Sequence, residues 1–288
     1  MRLLLVSDFH YALPLFDWVL EVAGDFDVVV MAGDHLDLAS LVDGRAQATV
    51  VKKYFERIRA KTQLLICSGN HDLDSRNEAG EKMARWLLGR RNDGVLSDGE
   101  SKTIGGILFT VCPWWDGPVS QGEIGRQLAE AAKLRQGAAQ GQAKAGRQGD
   151  RHAEHQGRWI WIYHAPPSKS PIAWGGARYF GDDALRNWIG QYQPDIVMCG
   201  HVHEAPYVRS GSWVDRIGKT WVFNTGHYMG APPAHVIIDT EAGEAVWRSA
   251  AGNQIIRFDE GLTRPVATLT ALPDWLTDGD PSPALVQG

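Results

Sequence analysis

Five short stretches hold the side chains best suited to chemistry. They are Asp8 with His10, Asp34 after Gly33, Asn70, His71 and Asp72 after Gly69, His164, and His201 with His203 after Gly200. Apart from the glycines these are oxygen and imidazole-nitrogen donors, a set that suits hard to borderline divalent cations rather than thiophilic ones. Each stretch alone has an ordinary reading: a strand-end cap at Asp8 and His10, a turn at Gly33-Asp34, a satisfied core histidine at His164, a loop tolerant of histidines at 201–203. Their common placement separates them from that background. Each follows a short apolar run of strand character, in order RLLLV, DVVVMA, QLLICS, RWIWIY and DIVMC.

The elements that must position these residues alternate. AQATVVKKYFERIRAK places Val50, Val51, Tyr54, Phe55 and Ile58 on one helical stripe. DDALRNWIGQY does the same for Leu185, Trp188, Ile189 and Tyr192 behind an Asp cap. Short buried strands alternating with helices predict a layered α/β fold, here a two-sheet β sandwich flanked by helices, whose ligands gather beyond the carboxyl ends of the strands. After residue 200, KTWVFNTG, AHVIIDT and EAVWRSA read as strands, which predicts a second sheet packed on the first. Residues 1–260 are expected to form a single domain, with a low-complexity insertion at about 121–158 that begins as a helix, IGRQLAEAAKLRQ, and continues as a mobile Gln-, Gly-, Ala- and Arg-rich stretch. Residues 261–288 read as a Pro-rich C-terminal tail.

Composition narrows the partners. A net charge of -5 over 288 residues gives no global attraction to nucleic acid or to an anionic membrane. No apolar run approaches membrane-spanning length, and the N-terminal run is too short for a signal-peptide core. Cys67, Cys112 and Cys199 each sit in a strand-like run without C-x-x-C spacing, so buried free thiols and a cytoplasmic location are expected.

In order, Asp8-x-His10, Gly33-Asp34, Gly69-Asn70-His71-Asp72, His164 and Gly200-His201-x-His203 resemble the five-part signature of the calcineurin-like metallophosphoesterase family, with no position missing. The resemblance implies two divalent metal ions, manganese or iron, with zinc possible. It gives Asp8, His10, Asp34 and His203 to one and Asp34, Asn70, His164 and His201 to the other, so that Asp34 is shared. One carboxylate has two oxygens and can serve two cations at the ~3.5–4 Å spacing of two-metal sites. A hydroxide formed between the cations would attack phosphorus in line. In this pattern His71 binds no metal; it contacts the phosphate and protonates the leaving oxygen, and Asp37, completing GDHLD, is expected to orient it. Asp72 reads as structural.

The expected function is therefore phosphoester hydrolysis of a small substrate, a nucleotide among the candidates. YHAPP at Tyr163–Pro167 resembles the His-x-Pro-Pro stretch of a branch that contains bacterial cyclic-nucleotide phosphodiesterases, which favours a diester. The alternatives are a phosphomonoesterase, a nuclease guided by the 121–158 insertion, or a non-catalytic scaffold. From Lys133 to Arg158 that insertion carries six Lys/Arg against two acids, yet it lacks the interleaved aromatics of a nucleic-acid surface, and His152 and His155 read as surface residues. Trp114, Trp174 and Arg178, in two aromatic loops, are expected to stack on a base or hold a phosphate oxygen. His227 and His235 read as loop or strand-end residues rather than further ligands. Sequence leaves the oligomeric state open.

Overall fold

A computed structural model describes residues 1–88, 94–145 and 157–277, with the side chains of 138–145 left outside the description. Its first three long strands, β1 (Arg2–Val6), β2 (Val28–Ala32) and β3 (Gln63–Cys67), pair in parallel, with Leu4 beside Val29 and Val29 beside Leu64. Two helices connect them, α1 (Leu13–Val22) and α2 (Gly44–Arg59), the second opened by Asp43, whose carboxylate accepts the Arg45 amide at 2.9 Å. The period of two along each strand sorts the side chains into two cores. Leu4, Val6, Val29, Met31, Leu64 and Ile66 pack on Val19, Phe16, Val51, Phe55 and Ile58 of the helices. Leu3, Leu5, Val28, Val30, Leu65 and Cys67 point the other way, into a dry layer between two sheets.

After β3 the chain makes a small hairpin, β4 (Ser75–Arg76) and β5 (Lys82–Met83), a turn of helix α3 (Arg85–Leu88), and β6 (Leu96–Ser97), which adds to β3. It then starts the second sheet with β7 (Glu100–Ile104) and β8 (Ile107–Val111). Helix α4 (Pro118–Ala145) leads to β9 (Trp159–Ile162), and α5 (Asp183–Tyr192) leads to β10 (Ile196–Cys199). Next come β11 (Val214–Ile217) and β12 (Thr220–Asn224), which complete the order β11-β12-β10-β9-β8-β7. Phe109, Ile160, Ile162, Met198 and Phe223 fill the layer between the sheets, while Trp159, Trp161, Val197 and Cys199 face α4 and α5. The result is the helix, sheet, sheet, helix layering expected from the sequence.

Two elements behave differently from the sequence reading. A second sheet exists, but the late strands do not all belong to it. The strands β13 (His235–Asp239), β14 (Glu244–Ser249), β15 (Gly252–Arg257) and β16 (Ala267–Thr268) return to the first sheet, giving the order β16-β15-β14-β13-β1-β2-β3-β6, with β13 antiparallel to β1. Alternating hydrophobicity says that a segment is a strand; it does not say which edge will satisfy its backbone. A last helical turn, α6 (Asp274–Thr277), follows.

The other element is α4. Its first half is docked: Ile124, Leu128 and Ala131 are buried among Leu108, Trp159 and Trp161. The Glu81 carboxylate accepts the amides of Val119 and Ser120 at 2.8 and 2.7 Å, holding the N-terminus. Arg135 bridges to the Gly157 carbonyl at 2.7 Å and to Asp195 at 2.8 Å. Residues 146–156, with the end of the low-complexity stretch and His152 and His155, lie outside the described residues. No helix among the described residues is long and apolar enough to cross a membrane.

If α4 is a layer of the fold rather than an appendage, Leu128→Ala should lower stability by about 2–5 kcal/mol in urea unfolding. Glu130→Ala, on the exposed face, should change it by less than about 0.5 kcal/mol.

Candidate metal centre

The carboxyl ends of β1, β2 and β3 in one sheet and of β9 and β10 in the other meet along one edge of the sandwich. The five polar stretches are the residues that follow these strands, so the site straddles both sheets. Backbone bonds hold the loops together: Asp8 N to the Gly33 carbonyl at 3.1 Å, His10 N to that of Asp34 at 2.9 Å, and Gly200 N to that of His164 at 2.8 Å. Asp8, His10, Asp34 and His201 all take left-handed φ values, 59°, 44°, 53° and 74°. Such conformations cost free energy for residues with a Cβ and concentrate where the surroundings demand a particular side-chain direction.

Asp72 is the main fastener. Fully buried, it accepts the amides of His35 and Leu36 on one oxygen, at 3.0 and 3.1 Å, and that of Gly69 on the other at 2.9 Å. It thereby ties the loop after β2 to the turn after β3. Burial, then the charge of Asp34, pushes its pKa up to about 7, against the pull of those amides. Gly69 is needed for closeness: a Cβ there would stand 2.1 Å from Asp34 Oδ1. The sequence reading of Asp72 as structural agrees with this geometry.

The two buried carboxylates are arranged alike. Asp34 Oδ1 accepts the His71 amide at 2.9 Å, while Oδ2 lies 3.2 Å from His164 Nε2 and 3.9 Å from His10 Nε2. Asp8 Oδ2 accepts the Ser7 hydroxyl, while Oδ1 lies 3.3 Å from His203 Nε2 and 3.9 Å from His164 Nε2. Each carboxylate thus turns one oxygen toward imidazoles and gives the other to a scaffold donor, with the His201 amide in addition 3.0 Å from both oxygens of Asp8. Burial alone would raise both pKa values, but the charge of His164 brings Asp34 down to about 2, and the hydrogen bond from His203 with the charge of His164 holds Asp8 well below the usual range. Reciprocally, burial disfavours charge on His164, yet Asp34 lifts it to about 9. Burial brings His10 and His201 down to about 4. A cation between His164 and the two carboxylates would satisfy their facing oxygens.

Donor chemistry fits a cation directly. Asp8, His10 and His203 offer ligand atoms within 4.8 Å of one another, as do Asp34, His164 and His201, and a third group joins His10, Asp34 and His71. Asn70 Oδ1 and His164 Nε2 are buried without a hydrogen-bond partner among the described residues. His164 Nδ1 contacts the Ala32 carbonyl at 2.7 Å, which fixes the ring with Nε2 toward the site. Unpaired buried acceptors cost free energy unless something supplies the missing partner, and a cation does so.

The remaining candidates divide. The His71 ring stands 4.6 Å from that of His10, centroid to centroid, and its Nδ1 faces the Leu38 amide at 3.5 Å. Asp37 shares that loop, but its Oδ1 accepts the Ala39 amide at 2.8 Å, and no described hydrogen bond joins it to His71. Trp114 is brought to the centre, its ring 5.4 Å from His201 and 5.8 Å from His164. Trp174 donates to the Arg209 carbonyl at 3.1 Å and packs on Tyr179, and Arg178 lies over the ring of Phe180 at 4.5 Å; neither contacts a candidate ligand. His235 is buried away from the group, its Nδ1 on the Pro233 carbonyl and its ring on Trp18. His227, expected as a loop or strand-end residue and not a ligand, stands beside the group: its ring is 4.9 Å from His203 and 5.7 Å from His10. No ligand-like spacing marked it, because it follows β12 rather than one of the five signature strands.

The chain resembles known proteins in sequence pattern and in fold. A family model described as calcineurin-like phosphoesterase matches residues 1–205. No curated protein sequence matches the chain. Among solved structures, TT1561 of Thermus thermophilus superposes with a TM-score of 0.51 at 13% identity, covering 89% of this chain and 98% of that one. Purple acid phosphatase PPD1 from yellow lupin overlaps with a TM-score of 0.49 at 13% identity, over 93% of this chain and 53% of its own. YfcE, a phosphoesterase from E. coli, gives 0.38 at 14% identity, over 93% and 99%. Of these only the first is similar enough to speak for the fold.

Asp72→Asn should misalign the fastener, because an amide presents one acceptor oxygen where two are used. The expected loss is about 1–3 kcal/mol in urea unfolding with chelator present, so that metal binding does not contribute.

Proposed function

The chain belongs to the calcineurin-like phosphoesterase family, and on that premise we propose that it is a hydrolase using two divalent cations, with a phosphodiester as its preferred substrate. The observation that carries the dinuclear reading is the buried, unpartnered acceptor Asn70 Oδ1, together with His164 Nε2 held 3.2 Å from Asp34 Oδ2, beside two histidine–carboxylate groups. Asp8, His10, Asp34 and His203 would hold one cation; Asp34, Asn70, His164 and His201 would hold the other. Asp34 Oδ2 is the atom that faces both sets, since Oδ1 is taken by the His71 amide. Bound there, manganese or iron, or alternatively zinc, supplies Lewis-acid stabilisation of phosphoryl oxygens and a water acidic enough to attack near neutral pH.

The chain's own groups do the rest. With Nδ1 of His71 turned to the Leu38 amide, the ring proton belongs on Nε2, where it can hold a phosphoryl oxygen and then pass to the leaving oxygen. Asp37 acts on this ring through the loop it closes at Ala39. Trp114 excludes water beside His164 and His201. It also borders a cavity of about 470 Å³ lined by Trp115, Phe180 and Asp116, which offers room for a second ester arm. That room, with the YHAPP stretch, favours a diester. Trp174 and Arg178 would act only as parts of the loop that carries Phe180. The three buried free thiols suit the cytoplasm.

With manganese supplied, bis(nitrophenyl) phosphate should be cleaved faster than nitrophenyl phosphate; preference for the monoester would replace the diesterase reading with a phosphomonoesterase. Asn70→Ala should lower metal content measured by elemental analysis. His71→Ala should retain metal and lose about 10²–10⁴-fold in rate on a diester with a poor leaving group. Equal metal loss in both variants would overturn the division of roles.

A further inference from the structure

We infer that Thr225 and Ser7 form a directed hydroxyl relay that positions the Asp8 carboxylate, fixing which of its oxygens faces the first cation site. The inference rests on the proposed role of Asp8 as a cation ligand and adds two residues outside the ligand set. Ser7 follows β1 and Thr225 follows β12, so the hydroxyls come from different sheets. Both are buried, with their oxygens 2.6 Å apart.

Proton accounting gives the direction. Ionised Asp8 only accepts, so the Ser7 hydroxyl donates to Oδ2. Having spent its one proton, Ser7 Oγ can offer Thr225 only a lone pair, and the Thr225 hydroxyl therefore donates to Ser7. If Thr225 instead gave its proton to the Gly226 carbonyl at 2.9 Å, two oxygens would face each other at 2.6 Å with no proton between them. A chain of hydroxyls ending on a carboxylate strengthens each link.

The relay decides something no other contact decides. The His201 amide lies 3.0 Å from each Asp8 oxygen and does not discriminate between them. Among the described residues the Ser7 hydroxyl alone bonds Oδ2 and not Oδ1, and this leaves Oδ1 turned to His203. Thr225 is itself clamped: Trp247 Nε1 donates to its carbonyl, and Asn224 Oδ1 accepts the next amide, both at 2.9 Å. Gly200 closes the other side, where a Cβ would stand 2.5 Å from Asp8 Oδ2 and from Ser7 Oγ. Ser7 and Thr225 are positioning residues: they set the metal-binding rotamer of Asp8 and at the same time register one sheet on the other at the site.

The test is manganese binding to the metal-free full chain, followed by titration calorimetry and by the paramagnetic resonance of free Mn²⁺, with no turnover involved. Ser7→Ala and Thr225→Ala should raise the dissociation constant of one of two sites by about 10–100-fold, the usual effect of removing a partner behind a ligand. The other site should keep its affinity. Thr225→Ser, which keeps the hydroxyl and loses only the methyl, should bind as wild type. If Thr225→Ala does not fold, Ser7→Ala reads the same carboxylate. Wild-type affinity in the two alanine variants overturns the relay, as does a loss in Thr225→Ser equal to that in Thr225→Ala. Wild-type protein that takes up no manganese overturns the dinuclear reading, and the relay with it.

Discussion

Two carboxylates, Asp8 and Asp34, are buried at the ends of neighbouring strands, and a buried charge without compensation is among the most costly features a fold can contain. The surrounding architecture supplies that compensation in two parts. One oxygen of each carboxylate is satisfied by the scaffold, through the His71 amide at Asp34 and the Ser7 hydroxyl at Asp8. The other is turned toward imidazoles, where a proton or a cation would complete the neutralisation. The same division that makes the charges tolerable also makes them useful, since the oxygens left facing inward are the ones a cation can reach.

Delivering imidazoles to those oxygens requires two sheets. β1 and β2 bring the carboxylates, β9 and β10 bring His164, His201 and His203, and the layer between them is filled by Leu5, Val30, Phe109, Ile162 and Met198. Close packing at that layer fixes the distance between the strand ends, because interiors at native density do not slide. The loops that follow accept local strain for direction: four site residues take left-handed φ values, and Asp72, accepting the amides of His35, Leu36 and Gly69, ties the loop after β2 to the turn after β3. Stability invested in the sandwich thus appears as geometry at its edge.

Such an arrangement separates tasks among chemically similar side chains. His164 is anchored through Nδ1 to a backbone carbonyl and points its other nitrogen at the carboxylates. His71, one residue from Asn70, is aimed by a different neighbour, the Leu38 amide, and stands beside His10. His35, adjacent to Asp34 in sequence, is instead buried on the Cys67 carbonyl and against Phe55, where burial brings its pKa down to about 4. Position along the chain does not assign these roles; the partner of each second nitrogen does.

The sequence by itself determined that five apolar strands end in oxygen and nitrogen donors, that helices alternate with the first of them, and that Asp72 serves structure rather than the chemistry. These are local properties, set by burial period and side-chain type, and they survive any arrangement of the layers. Only the tertiary structure decided that β13 to β16 return to β1, that α4 packs Leu128 on the second sheet, that the Asp37 carboxylate goes to Ala39, and that His227 stands beside His203. The same holds for the meeting of Ser7 with Thr225, 218 positions apart. Each depends on which distant backbone edge or side chain satisfies a buried polar group, and that pairing is a property of the assembled sheets, not of any segment's own pattern.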